Sequence, residues 1–183
     1  MSQFDDLLTE IRDEFPLFRL AYKKDSWWAP LLGNSFMRSY LTIIGFTVWL
    51  PTNFDLLSET NKCIALRHER VHMRQMRKLG SVWLFWLLYL FLPLPFGLAW
   101  FRANFEKEAY QETLRSYRYY YGTIPGYLRP FFRKQFLGWF YGWMWPFPSV
   151  VDRWYDEVLN ETSEPGPAVP AHKLSAREEH PPA

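Results

Sequence analysis

Apolar residues near the start of the chain recur at the spacing of one helix face. They are Phe4, Leu7, Leu8 and Ile11. Because residues three and four apart lie on the same side of a helix, this pattern predicts an amphipathic helix over residues 4–14. Pro16 ends or interrupts that helix, since proline lacks a backbone N–H. Residues 25–34, which contain proline and glycine, predict a loop.

The next segment predicts strands followed by a long helix. Residues 39–50 are rich in β-branched and aromatic side chains, which favour strands. Gly45 divides this segment, so it predicts two short strands or one bent strand, and Pro51 stops the second piece. Ser58 is a good N-cap, because its hydroxyl can accept an unpaired N–H of a first helical turn. The helix that begins there is predicted to reach Lys78.

Residues 79–101 contain no charged side chain and are long enough for a transmembrane helix. A break is nevertheless predicted towards their end, at Pro93, Pro95 and Gly97. From Arg102 a charged helix is predicted to resume and to end near Gly122. Residues 126–130 then predict a turn, and residues 131–145 are aromatic and basic.

The last part of the chain predicts a short helix and a tail. Pro146 and Pro148 are expected to interrupt the aromatic segment, and Ser149 to cap a helix that runs through Leu159. The tail at 160–183 holds many prolines and few apolar residues, which predicts disorder.

The predicted elements define a mostly helical α+β fold with a few short strands. Four parts are predicted along the chain. They are an N-terminal helix and loop at 1–35, a core at 36–122 that includes a hydrophobic hairpin at 79–101, an aromatic helical extension at 123–159, and the tail at 160–183.

Composition narrows the class of partner. Aromatic residues make up 20% of the chain, an excess that suggests a surface in contact with lipid or a partner. The net charge is +2, and the acidic tail contributes −2, so the remainder carries +4. No dense Lys/Arg stripe is present, which argues against nucleic acid and fits an anionic membrane surface better. The single cysteine, Cys63, and an N-terminus unlike a signal or transit peptide predict a cytoplasmic protein.

The sequence His-Glu-Arg-Val-His at residues 68–72 carries the most specific chemistry. On a helix, His68 and His72 lie on one face and can bind one zinc ion. Glu69 would then lie beside the open coordination position, where it can take a proton from an activated water.

A catalytic zinc usually has three protein ligands. His172 and His180 lie in the tail, and Cys63 points away from the histidine face, so a carboxylate is the best third ligand. Glu106 and Glu108, on the next charged helix, are the two candidates. Ala109 and Tyr110 follow Glu106 at the spacing of one helix face, which suits close approach to the histidine helix.

These motifs resemble those of the gluzincin metallopeptidases, in particular the small minigluzincin-like members. There a histidine helix carrying His-Glu-x-x-His packs against a glutamate helix with the pattern Glu, two residues, then Ser or Ala, often followed by Asp. Residues 106–109 match the first four positions, and Tyr110 stands where many relatives have Asp. The resemblance covers about residues 36–121 and implies a zincin-like fold, Zn²⁺ held by His68, His72 and Glu106, and a strand that borders the cleft.

The expected function is hydrolysis of peptide bonds in a peptide or protein substrate. Glu69 would act as general base, and Tyr110 is a candidate donor to the oxyanion. Two rivals remain: a non-enzymatic membrane-associated protein with an incidental histidine pair, and a purely structural zinc site.

The zinc hypothesis constrains the hydrophobic segment. A single crossing at 79–101 would separate His72 from Glu106 by about 30 Å of hydrocarbon, whereas zinc–ligand bonds are about 2 Å. We therefore expect residues 79–101 to form a hairpin rather than a transmembrane helix. The hairpin would be buried in the protein, or peripheral or re-entrant at a membrane.

Overall fold

The computed structural model describes residues 2–38, 40–90, 99–138 and 147–161. Within these residues there are seven α-helices and one three-stranded sheet, which confirms a mostly helical α+β fold. The described residues fall into two compact units, one up to Met73 and the other from Arg74 onward.

The first unit opens with helix α1 (Gln3–Glu14), as the apolar spacing predicts. Ser2 and Asp5 form a reciprocal cap. The Asp5 N–H donates to Ser2 Oγ at 3.1 Å, and the Ser2 N–H donates to Asp5 Oδ2 at 3.2 Å. Two otherwise unpaired donors are thereby satisfied at the helix start. The buried side chains of α1 are Leu7, Leu8 and Ile11.

The sheet of this unit contains β1 (Arg19–Tyr22), β2 (Thr42–Ile44) and β3 (Thr47–Leu50), in the order β1-β3-β2. Strands β2 and β3 form an antiparallel hairpin, and Gly45 occupies the turn with φ +61°, a conformation that favours glycine. The two predicted strands are therefore confirmed. Strand β1, which pairs in parallel with β3, was not predicted.

The predicted loop at 25–34 is wrong in its second half. A 3-10 turn covers Ala29–Leu32, and a short helix α2 covers Gly33–Arg38. Pro30 favoured a loop in the sequence, but it stands in the first turn of the 3-10 segment, where its missing N–H costs nothing.

Helix α3 (Glu59–Lys78) is the predicted histidine helix, with the expected bounds. Ser58 Oγ accepts the Asn61 N–H at 3.2 Å, which confirms the predicted cap. In the first unit, Arg70 ties α3 to α1 by donating to Glu14 at 2.7 Å and to Glu10 at 3.0 Å. The last turn of α3, from Arg74, belongs to the second unit.

The second unit contains α4 (Val82–Leu90), α5 (Trp100–Tyr121), α6 (Leu128–Leu137) and α7 (Pro148–Glu161). Helix α5 begins two residues before the predicted Arg102 and ends at Gly122, which has φ +72° and confirms the predicted stop. Phe85 of α4 stacks on Phe105 of α5, with ring centroids 5.0 Å apart.

Two predictions for the second unit are wrong, one of them only in part. The predicted turn at 126–130 is confirmed at residues 126–127, but α6 begins at Leu128, and Pro130 is tolerated because it lies in the first turn. Pro148 does not interrupt the chain but is the first residue of α7, so Ser149 lies inside that helix and does not cap it.

Some predictions concern residues outside those that the structure describes. They are the break at Pro93, Pro95 and Gly97, the aromatic residues 139–146, and the disordered tail beyond Glu161. Within the described ranges, no helix combines the length and apolar character needed to cross a membrane.

Candidate metal centre

Helix α3 places the two motif histidines side by side. The ring centroids of His68 and His72 are 5.0 Å apart, and the rings are nearly perpendicular. His72 is only 4% exposed, whereas His68 is half-buried. This arrangement follows from the four-residue spacing, which stacks side chains on one helix face.

Glu106 comes from the buried face of α5 and is 4% exposed. Its carboxylate is oriented by a second helix, because the Tyr89 hydroxyl of α4 donates a hydrogen bond to Glu106 Oε1. The Arg102 guanidinium lies 4.8 Å from the centre of the Tyr89 ring and helps to hold that ring in place. The Tyr89 hydroxyl therefore helps to fix the orientation of the Glu106 carboxylate.

The ligand atoms of His68, His72 and Glu106 lie within 4.8 Å of one another. A tetrahedral ion with bonds of about 2.1 Å separates its ligands by about 3.4 Å. The two histidines and the glutamate form a group that could hold a metal ion.

The rival carboxylate, Glu108, has a different environment. Its Oε2 accepts a hydrogen bond of 2.9 Å from Gln75 Nε2, and Gln75 also donates to the Phe105 carbonyl at 3.0 Å. Glu108 is exposed and does not belong to the cluster of possible ligands. The geometry thus favours Glu106 over Glu108.

Tyr110, the candidate oxyanion donor, is almost fully buried in the second unit. Its ring centroid lies 4.5 Å from that of Phe132 and 5.8 Å from that of Phe136. These contacts with α6 are those of a packing residue, and they account for an aromatic side chain at this position.

Glu69 has a neighbour that the sequence did not reveal. Lys23 is completely buried, and its ammonium donates to the carbonyls of Phe36 at 2.9 Å and Tyr40 at 2.7 Å. Burial lowers the pKa of Lys23 to about 8, and the negative charge of Glu69 acts in the opposite direction. The Glu69 carboxylate, itself 8% exposed, thus has a buried cation in its environment.

Sequence reasoning missed Lys23 and Tyr89. The only sequence signal for Tyr89 was its polar hydroxyl within an apolar segment. A tyrosine hydroxyl usually forms a hydrogen bond when it is buried. Lys23 gave no local signal, because its carbonyl partners lie 13 and 17 residues further along the chain.

No family model, no curated protein and no solved structure matches this chain. What the chain does must therefore be inferred from the cluster and the groups around it. The other two histidines, His172 and His180, which the sequence argues against as ligands, lie outside the described residues.

Proposed function

We propose that the chain is a zinc metallopeptidase with a zincin-like, specifically gluzincin-like, arrangement. The observation that carries this proposal is the convergence of His68, His72 and Glu106 within 4.8 Å. A chance His-Glu-x-x-His sequence would not require a buried glutamate, from a helix far along the chain, to lie beside both imidazoles.

The donor set supports zinc as the ion. Two imidazole nitrogens and one carboxylate oxygen are ligands found in zinc peptidases, and three protein ligands leave one coordination position open. Calcium and magnesium prefer sites made only of oxygen atoms. Bound there, zinc would supply a Lewis acid that activates a water molecule and polarises the peptide carbonyl.

Glu69 is assigned the role of general base. It follows His68 directly on α3, which places it next to the ligand face. Lys23 places a buried positive charge in the electrostatic environment of this carboxylate. Glu69 would take a proton during attack on the carbonyl and deliver it to the leaving amine.

Strand β2 offers a place for an extended peptide. It is an edge strand, since its only neighbour in the described sheet is β3. The backbone groups on its other side can pair with a substrate strand by β-augmentation. The substrate backbone would then pair with β2.

Metal analysis tests the ligand assignment. The purified chain should bind about one equivalent of zinc, and His68→Ala and Glu106→Gln should each lose most of it. Glu108→Gln and His172→Ala are matched controls that should retain it. If Glu106→Gln retained zinc and Glu108→Gln lost it, the third ligand would be Glu108 instead of Glu106.

Glu69→Gln separates catalysis from metal binding. Glutamine keeps the size of the side chain but cannot accept the proton, so zinc should remain while hydrolysis falls by at least about 100-fold. The assay is cleavage of a mixed peptide library, followed by mass spectrometry. Glu59→Gln, on the same helix, is the control for a general effect of removing a carboxylate. Wild-type rates in Glu69→Gln would remove Glu69 from the mechanism, and full zinc content without any cleavage by the wild type would favour a structural zinc site.

A further inference from the structure

Helix α4 exposes a face made only of large apolar side chains. These are Trp83, Leu84, Leu87 and Leu90, of which Trp83 is 86% exposed and Leu87 50% exposed. Their spacing of three and four residues puts them on one side of the helix. The opposite side holds Phe85, which packs on α5, and Tyr89, which binds Glu106. The exposed face therefore takes no part in the candidate metal centre.

The segments next to α4 in the sequence carry basic residues. Between Arg74 and Phe105 every charged residue is basic, namely Arg74, Arg77, Lys78 and Arg102. Arg77 and Lys78 are exposed in the last turn of α3, and α4 begins at Val82. Only five residues separate Lys78 from Trp83 along the chain, a backbone span of at most about 18 Å.

We propose that this face of α4 docks on the surface of an anionic lipid bilayer. Trp83 and the leucines would enter the headgroup region, where tryptophan is favoured. Arg77 and Lys78 would face lipid phosphates and carboxylates, which attract basic residues near the surface. A second copy of the chain is a poorer occupant. Each copy would bring a segment whose charged residues are all basic, so neither copy would supply an acidic partner from this segment.

Binding to vesicles tests this proposal without any reference to zinc or hydrolysis. The full chain is sedimented with vesicles of phosphatidylcholine, with and without phosphatidylserine. We expect binding to be at least roughly tenfold stronger when phosphatidylserine is present, and to weaken as salt is added. No binding to either vesicle, or equal binding to both at all salt concentrations, would overturn it.

A pair of double variants locates the surface. Trp83→Ser with Leu87→Ser should lower vesicle binding by about tenfold or more, because both side chains lose their transfer into lipid. Trp27→Ser with Leu56→Ser is the matched control, since these residues are 84% and 85% exposed in the first unit. It should bind as the wild type does. All four positions are exposed, so folding, checked by circular dichroism, should be unchanged.

Two further measurements complete the test. Arg77→Gln with Lys78→Gln should reduce binding to phosphatidylserine vesicles and leave the weak binding to phosphatidylcholine unchanged. Sedimentation equilibrium without lipid should show a monomer. Equal loss in the control pair would overturn the assignment to α4. So would a lipid-free dimer that Trp83→Ser with Leu87→Ser dissociates, because the face would then join two copies of the chain.

Discussion

Single side chains orient the ligands of the candidate metal centre, and Tyr89 is the clearest case. Its hydroxyl fixes one oxygen of Glu106, and groups that orient metal ligands in this way usually contribute strongly to affinity. Such a contact depends on packing between α4 and α5, which residue spacing along the chain cannot predict.

We expect Tyr89→Phe to weaken zinc binding by about 10- to 100-fold. The phenyl ring preserves the packing on Phe85, so the loss should come from the missing hydroxyl. Competition with a chromophoric chelator measures this affinity. Tyr119→Phe is a control on the exposed side of α5 and should bind zinc normally. An unchanged affinity in Tyr89→Phe would show that Glu106 needs no orienting donor.

Lys23 gives the protein a testable dependence on pH. Burial lowers its pKa to about 8, whereas a lysine in an unfolded chain titrates near about 10.4. Between these values the unfolded chain binds more protons at this site than the folded protein does. The contribution of Lys23 to the free energy of unfolding should therefore increase as the pH rises from about 8 to about 10.

Urea unfolding of the wild type and of Lys23→Met over this pH range isolates the effect. The difference in stability between them should shift in favour of the wild type as the pH rises. The contribution of Tyr22, whose pKa is raised mainly by its hydrogen bond to Asp55, is present in both proteins and cancels in the difference. A difference that is constant with pH would show that Lys23 keeps an ordinary pKa in the folded protein.

At the scale of elements, the helices and strands with local signals were predictable. The cap at Ser58 and the turn at Gly45 are formed by neighbouring residues, so the sequence predicts them directly. Strand β1 has only four residues, and its pairing partner is β3, with Arg19 opposite Thr47. Strand β1 is stabilised by pairing with a segment far along the chain, and no pattern within β1 itself indicates that pairing.

The C-terminal end of α5 gives a testable prediction, because its stop also depends on a single local residue. Gly122 has φ +72°, and no atom lies within 4 Å of an added Cβ, so any cost of a side chain there is conformational. Gly122→Ala should lower the free energy of unfolding by about 1 kcal/mol. Gly126→Ala is the matched control, because its surroundings are equally open and its φ lies outside the left-handed region. Equal effects of both changes on thermal unfolding would contradict a special role for Gly122.

At the scale of the whole molecule, a bound ion should stabilise the folded chain. A ligand that binds only the folded state at 100 times its dissociation constant contributes about 2.7 kcal/mol. Thermal unfolding should therefore shift upward when zinc is added to the wild type, and a chelator should reverse the shift. His68→Ala should show no such response. An upward shift of equal size in that variant would place the bound zinc elsewhere.

The candidate ligands could be predicted from sequence because the chemistry of each is local to a helix face. The preference for Glu106 over Glu108 came from the spacing of Ala109 and Tyr110 and from the family resemblance. The hydrogen bond from Gln75 to Glu108 is a further reason that the sequence does not show. The sequence also could not predict which face of α4 is exposed. A helix that is apolar on all sides has no polar face to indicate the solvent side.

The reaction of the single cysteine with a thiol reagent can measure transient opening of α3. Cys63 is fully buried and lies on the helix that carries both histidines, five residues before His68. A thiol reagent can reach it only when that part of the chain opens transiently, so the reaction rate measures the free energy of opening. No second thiol contributes to the signal. Any ligand that holds the histidine face should slow this reaction, whatever its chemical identity.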